Sequence, residues 1–449
     1  MTLPQRLLLG ASLLAATTAT ADAETTDEPT AADVATAPAP NTIEDGRLDE
    51  EPGDSTARVI ARGVLFVPRT VFTLAFKPVE GLAWLYERYQ LGERYYQIFW
   101  NDARTAGLFP TFGMQSGFGL EVGARFVHRD LAGEGEKLSL STSTGGEYRT
   151  LSKATLRSGR RFDPVELSLD ARFEQKPKDA FYGIGNVMGG ETRYRDRYGR
   201  ATGSADVRLG GPLHLTASGA YADHRYSASS SGTPIEEMYA TDKLTGWAGT
   251  QYGYGELELR YDTRRASNAH EAPVFTSRGT LLAAYSGAAI GLDDHSADYR
   301  RYGVDAQQFI RLAEGPRVLS LRAHLEGVTG NLDEVPFTDL PRLGGKQSLR
   351  GYPLDRFRDR VSALGSAEYT WDLARMISAS LFVDAGRVYR SVNDLSLDDM
   401  RVGYGVGLDL HTEHSFVGRV SLASSIDGGV FLDFAVDPIF DLERRVDHR

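Results

Sequence analysis

Cysteine is absent from this chain of 449 residues, which excludes disulfides and any metal site built on thiolates. Long apolar runs are nearly as scarce. Beyond the first residues, no segment offers the roughly 18 uninterrupted apolar residues that a membrane-spanning helix requires. Positive charge is also in deficit. Lys and Arg number 50 against 61 Asp and Glu, a formal charge of -11 at pH 7, and this argues against a nucleic-acid binder, which shows a basic patch or stripe. Glycine and aromatics are plentiful, with 48 Gly, 21 Tyr and 20 Phe, a composition that fits a strand-rich chain.

The one apolar run is terminal. A start ending in Arg6, an apolar core over residues 7–16 and the triplet Ala21-Asp22-Ala23 have the form of a secretory signal peptide, expected to span residues 1–23 and to be cleaved on export. Residues 24–57 are acidic and rich in Ala, Thr and Pro, with too little apolar surface to offset the entropy of ordering, and are expected to be a disordered leader. Over residues 58–104, Val59, Ile60, Val64, Leu65, Val71 and Phe72 recur at roughly helical spacing, interrupted by Pro68 and Pro78. Short amphipathic helices are expected there, lying at a membrane interface or forming a collar on the main domain.

From residue 105 to the end the period is two. In residues 252–262 the even positions are Tyr252, Tyr254, Glu256, Glu258, Arg260 and Asp262, and the odd ones are Gly253, Gly255, Leu257, Leu259 and Tyr261. Residues 318–326 repeat this, with Leu319, Leu321, Ala323 and Leu325 against Ser320, Arg322, His324 and Glu326. Strands are expected over 107–116, 118–128, 136–144, 148–158, 164–174, 200–209, 213–222, 252–261, 278–288, 299–313, 315–327, 361–373, 376–390, 400–410, 415–424 and 429–436. Many run to about ten residues, separated by turn segments, and their number is even; together these features predict an all-β, sixteen-stranded antiparallel transmembrane barrel over residues 105–449. The alternative is a soluble sandwich, whose strands average about five or six residues.

Within this pattern, residues 343–360 read LGGKQSLRGYPLDRFRDR and place Arg350 in a Gly-rich, charged loop between two strands. Strand parity puts Ser378, Ser380, Phe382, Asp384 and Gly386 on the face opposite Ile377, Ala379, Leu381 and Val383, and Glu368 on the same face of the preceding strand. Both carboxylates then face the lumen. A planar guanidinium that bridges two acceptors suits that place, so the loop over residues 331–360 is expected to fold inward as a plug.

Other chemistry finds weaker support. Gly113 to Gly117 reads GMQSG, with Ser116 misplaced for a nucleophile elbow. Gly403, Gly405 and Gly407 alternate with larger residues on a strand and have no helix after them; they are small lumenal residues that leave room for a plug. His411 and His414 lie at a strand end, and His324 is lumenal by parity, which leaves no basis for a lipid-facing catalytic triad. Paired lumenal carboxylates beside arginines favour a salt-bridge network over a catalytic dyad. The expectation is a non-enzymatic protein without cofactor, metal or nucleic-acid partner.

LRGYPLD at 349–355, FVDAG at 382–386, ELRYDTR at 258–264 and FYGIGN at 181–186 together resemble the bacterial surface antigen family of BamA/TamA-like outer-membrane proteins. The resemblance implies a barrel whose sixth extracellular loop enters the lumen, with Arg350, Gly351 and Tyr352 as its tip, Phe382, Asp384 and Gly386 as the receiving strand, and Glu368 as a second partner. Asp427, Gly429, Leu432 and Phe434 are similar to the family's final-strand recognition pattern, although a charged tail follows. Polypeptide-handling members carry POTRA domains. Residues 58–104 are too short and too helical to be one, so the resemblance is to a POTRA-less branch. It implies a Gram-negative outer-membrane location and assistance with assembly or translocation of protein or lipid, through a plugged barrel and a seam between first and last strands. The implied partners are outer-membrane lipids, a protein or lipid client, the barrel assembly machinery during biogenesis and, in a homodimer, a second copy. The alternative is a passive structural barrel or pore with no client.

Overall fold

The computed structural model describes residues 98–115, 119–266, 276–293, 298–313, 317–329, 334–374, 377–411 and 416–435. The expected signal peptide, the acidic leader, nearly all of the expected helical segment, Ser116, His414 and the charged tail lie outside these residues, and with them the basis for the POTRA-less expectation.

Among the described residues, sixteen long strands carry the fold. They are β1 (Ala106–Gln115), β2 (Gly119–Arg129), β3 (Lys137–Thr144), β4 (Thr150–Arg157), β5 (Val165–Phe181), β6 (Thr192–Gly210), β7 (Leu213–Ala228) and β8 (Thr250–Asp262). β9 (Thr276–Gly291), β10 (Tyr299–Ala313), β11 (Arg317–Val328), β12 (Val361–Ala374), β13 (Ile377–Tyr389), β14 (Arg401–His411), β15 (Phe416–Ser425) and β16 (Val430–Ala435) complete them. Each strand pairs antiparallel with the next, and β16 returns to β1 through the register pair Met114 and Phe434. The sheet therefore comes round into a nearly closed barrel, joined at β1 and β16 by that one register pair, and the sixteen expected strands are those observed.

Burial shows which medium each face meets. On β8, Leu257 and Leu259 are 58% and 47% exposed, whereas Glu258 and Arg260 are 6% and 8% exposed. A water-soluble sandwich would reverse this order. Apolar residues turned outward around a charged interior are the arrangement of a barrel whose outer surface meets lipid. The two-residue connection at 211–212 marks one end as the short-turn, periplasmic side. The connection between β11 and β12 then leaves from the extracellular end.

Three neighbouring strands run six to eight residues past their expected ends at one side of the barrel. β5, β6 and β7 run to 17, 19 and 16 residues, well beyond the roughly 9–11 that cross a bilayer. Their extra residues all lie at the extracellular end. In the segment from Thr192 to Tyr198, Arg193, Arg195 and Arg197 alternate with Thr192, Tyr194, Asp196 and Tyr198, so the apolar outward face that marks a lipid-crossing strand is missing. These residues project above the membrane.

Candidate functional site

Between β11 and β12 the chain bends back on itself. Arg342–Leu343 pairs antiparallel with Phe357–Arg358, which closes residues 344–356 into a tongue. Leu343, Leu349, Tyr352 and Phe357 of the tongue bury themselves against Leu364 of β12 and Val388 of β13. Its sides are thus apolar and its tip is charged.

At the tip, Arg350 is 3% exposed. Its Nε donates to Asp384 Oδ2 at 2.7 Å, its Nη2 to Asp384 Oδ1 at 2.7 Å, and its backbone N–H also donates to Oδ2 at 3.0 Å. The remaining Nη1 donates to Glu368 Oε2 at 2.6 Å. Below this fork lies the ring of Phe382, 3.6 Å from the guanidinium carbon. A charge taken out of water needs a full set of partners, and these residues provide a fork-to-carboxylate pair, a second carboxylate and an aromatic face.

Backbone approach completes the seat. Gly351 has φ +87°, and a Cβ there would stand 2.1 Å from the Ser424 carbonyl oxygen on β15. From the other side, a Cβ on Gly403 of β14 would stand 1.6 Å from the carbonyl oxygen of Arg350. Only glycine allows either contact. Gly386 receives the Leu343 side chain closely, at 3.0 Å from its would-be Cβ.

Two charged members of this network escape the sequence reading. Arg419 Nη2 donates to Asp409 Oδ2 at 2.7 Å and pairs with Glu368 Oε1 at 2.9 Å, and its Nη1 donates to Glu368 Oε2 at 3.2 Å. Glu368 therefore joins Arg350 to Arg419. Asp409 and Arg419 are register partners on β14 and β15. Parity holds the signal for them: Asp409 shares the lumenal face of Gly403, Gly405 and Gly407.

The connection that carries the tongue has a second anchorage outside the Arg350 network. Phe337 is packed by Phe181, Tyr194, Tyr226 and Trp247, with ring centroids 5.1 to 6.2 Å away. These come from the projecting parts of β5 to β7 and from the connection before β8. The FYGIGN segment joins them, since Gly185 N–H donates to the Arg358 carbonyl oxygen at 2.8 Å and the Asn186 carbonyl accepts from Arg401 Nη2 at 2.8 Å.

Asp427, expected only as part of a final-strand pattern, lies in the tight turn between β15 and β16. It accepts from the Tyr352 hydroxyl at 2.6 Å and from Arg401 Nη1 at 2.9 Å. Burial, and then this hydrogen bond, push the Tyr352 phenol up to about 12. Gly429 takes φ +88° to finish the turn, Leu432 faces outward at 46% exposure, and Phe434 pairs with Met114. In ELRYDTR, Arg260 Nη2 donates to Asp206 at 3.2 Å and Arg264 forks onto Asp262. His324 Nδ1 lies 3.0 Å from Asp305, on the lumenal face. Among the described residues no group of His, Asp and Glu is placed to hold a metal ion.

A model of the Omp85 superfamily domain matches residues 130–423. BamA from Haemophilus ducreyi lacking POTRA domains 1–3 is similar in fold, with a TM-score of 0.56 at 16% identity, over 74% of this chain and 70% of that one. CdiB from Escherichia coli gives a TM-score of 0.53 at 10% identity over 73% of this chain and 62% of that one. CdiB from Acinetobacter baumannii gives 0.50 at 10% identity over 74% and 59%. This chain therefore spans about six tenths of either CdiB chain. At such identities the likeness is one of fold. No curated protein sequence matches this one.

Proposed function

Because this chain belongs to the Omp85 superfamily, we propose that it is a non-enzymatic outer-membrane barrel that assists outer-membrane assembly or the translocation of protein or lipid, working through its lumenal tongue and a lateral seam between β1 and β16. The family and the barrel fold point to the bacterial outer membrane. The partners under this reading are the surrounding lipids, a polypeptide or lipid client, and the barrel assembly machinery during biogenesis.

One observation carries the reading. The tongue tip engages four successive strands and the turn that leads into the last one: Glu368 on β12, Asp384 on β13, Gly403 on β14, Ser424 on β15, and Asp427 ahead of β16. This stiffens the wall as far as β16 and leaves the closure between β16 and β1 as the place to yield. A client entering or leaving sideways would do so there, and Arg350 sets how firmly the adjoining wall is held.

A photo-crosslinking amino acid at Val430 or Leu432, outward on β16, should capture a client in native membranes that the same probe at Leu257 or Leu259 on β8 does not. Identical adducts at the two walls would overturn the proposal. They would favour the second reading, a passive pore, for which the observation is the wide lumen beside the tongue, about 1160 Å³.

A further inference from the structure

That lumen is charged against the character of the chain. Among the described residues, thirteen Lys and Arg line it against nine Asp and Glu, an excess of four positive charges in a protein that carries eleven negative ones overall. The excess sits on one wall. β2, β3 and β4 direct Arg125, Lys137, Lys153 and Arg157 inward with serine and threonine hydroxyls between them, and Glu121 is the one carboxylate that these strands add to the lining among the described residues. Toward the short-turn end a second cavity of about 450 Å³ shares Lys137, Arg157 and Arg260 with the first. Its described lining has six Lys and Arg against three Asp and Glu.

We infer that the lumen is an anion-selective aqueous path for small inorganic anions such as chloride and phosphate, running along the β2 to β4 wall beside the tongue. Low-dielectric walls focus the field of lining charges into a channel, and arginine and lysine lining a pore select anions. Hydroxyls replace part of an anion's hydration shell between one cation and the next. At about 0.1 M salt the Debye length is roughly 10 Å, so neighbouring cations act together; at about 1 M it is roughly 3 Å and they do not. The Arg350 network does not contribute to this wall: its charges are buried and matched by their own partners. The inference therefore holds whether or not the barrel has a client.

The test is the reversal potential of the whole protein in a planar bilayer, under a KCl gradient centred near 0.1 M. Chloride should permeate several-fold better than potassium, and the preference should collapse when both solutions are raised to about 1 M. The variant carrying Lys137→Glu, Lys153→Glu and Arg157→Glu takes the lining from four positive charges to two negative, and its reversal potential should cross to the cation side. Heat-modifiable migration shows that the variant has folded; if it does not fold, the salt dependence of the unaltered protein decides. Cation preference, equal permeability, selectivity indifferent to salt, or no conductance from folded, inserted protein would each overturn the inference. None of these results bears on the β16 crosslinking comparison.

Discussion

Arg350→Ala is expected to destabilise the folded barrel by roughly 3–5 kcal/mol, the cost of leaving a buried charge without its counter-charge. Among the described residues, the hydrogen bonds to the Asp384 carboxylate come from Arg350, two from the guanidinium and one from the backbone, and Asp384 is 0% exposed. Glu368 would keep Arg419; Asp384 would lose the cation that balances it. The measurement is the temperature at which heat-modifiable migration of the refolded protein is lost, which should fall well below that of the unaltered protein. Arg350→Lys should recover only part of the difference, because an ammonium cannot meet both oxygens of Asp384 and also reach Glu368 in one plane. An unchanged transition for Arg350→Ala would show that the tongue does not brace the wall.

Gly403→Ala should release the same tongue without removing any charge. Its new Cβ would stand 1.6 Å from the Arg350 carbonyl oxygen, and a backbone atom in a seated tongue has nowhere to go. Overpacking of this kind costs roughly 1–3 kcal/mol, so the tip should withdraw and single-channel conductance should rise as the lumen clears. Combining Gly403→Ala with Arg350→Ala should cost less than the sum of the two, because both act on one contact. Additive losses, or a conductance that does not move, would separate Gly403 from the Arg350 seat.

These residues differ in how far they can be read from the sequence. The strands are legible because lipid outside and charge inside impose a period of two that no other part of the chain imitates. Where β5 to β7 leave the bilayer, both faces are polar, and the pattern that marks a strand fades before the strand ends. Asp384 and Glu368 are brought to one face by parity, since alternation decides which carboxylates share the tongue's side of the wall, and the family resemblance pairs them with Arg350. Parity gives a face and not a distance. Asp409 and Arg419 stand on the right faces too, but their meeting with Glu368 depends on the register of three strands. Phe337 depends on a cap built from strand extensions that the pattern does not show. Asp427 carries two messages at one position, a final-strand pattern and the partner of Tyr352, and only the first is visible in the linear chain.

The most direct measurement of the central claim is to lock the closure. The chain contains no cysteine, so Met114→Cys with Phe434→Cys introduces a single pair at facing register positions of β1 and β16, where antiparallel Cα atoms lie within the reach of a disulfide. In cells depleted of the native chain, the oxidised variant should fail to restore outer-membrane protein and lipid content, and a membrane-permeant reductant should return it. If the oxidised barrel restores both as well as the unaltered protein does, the seam has no part in the function.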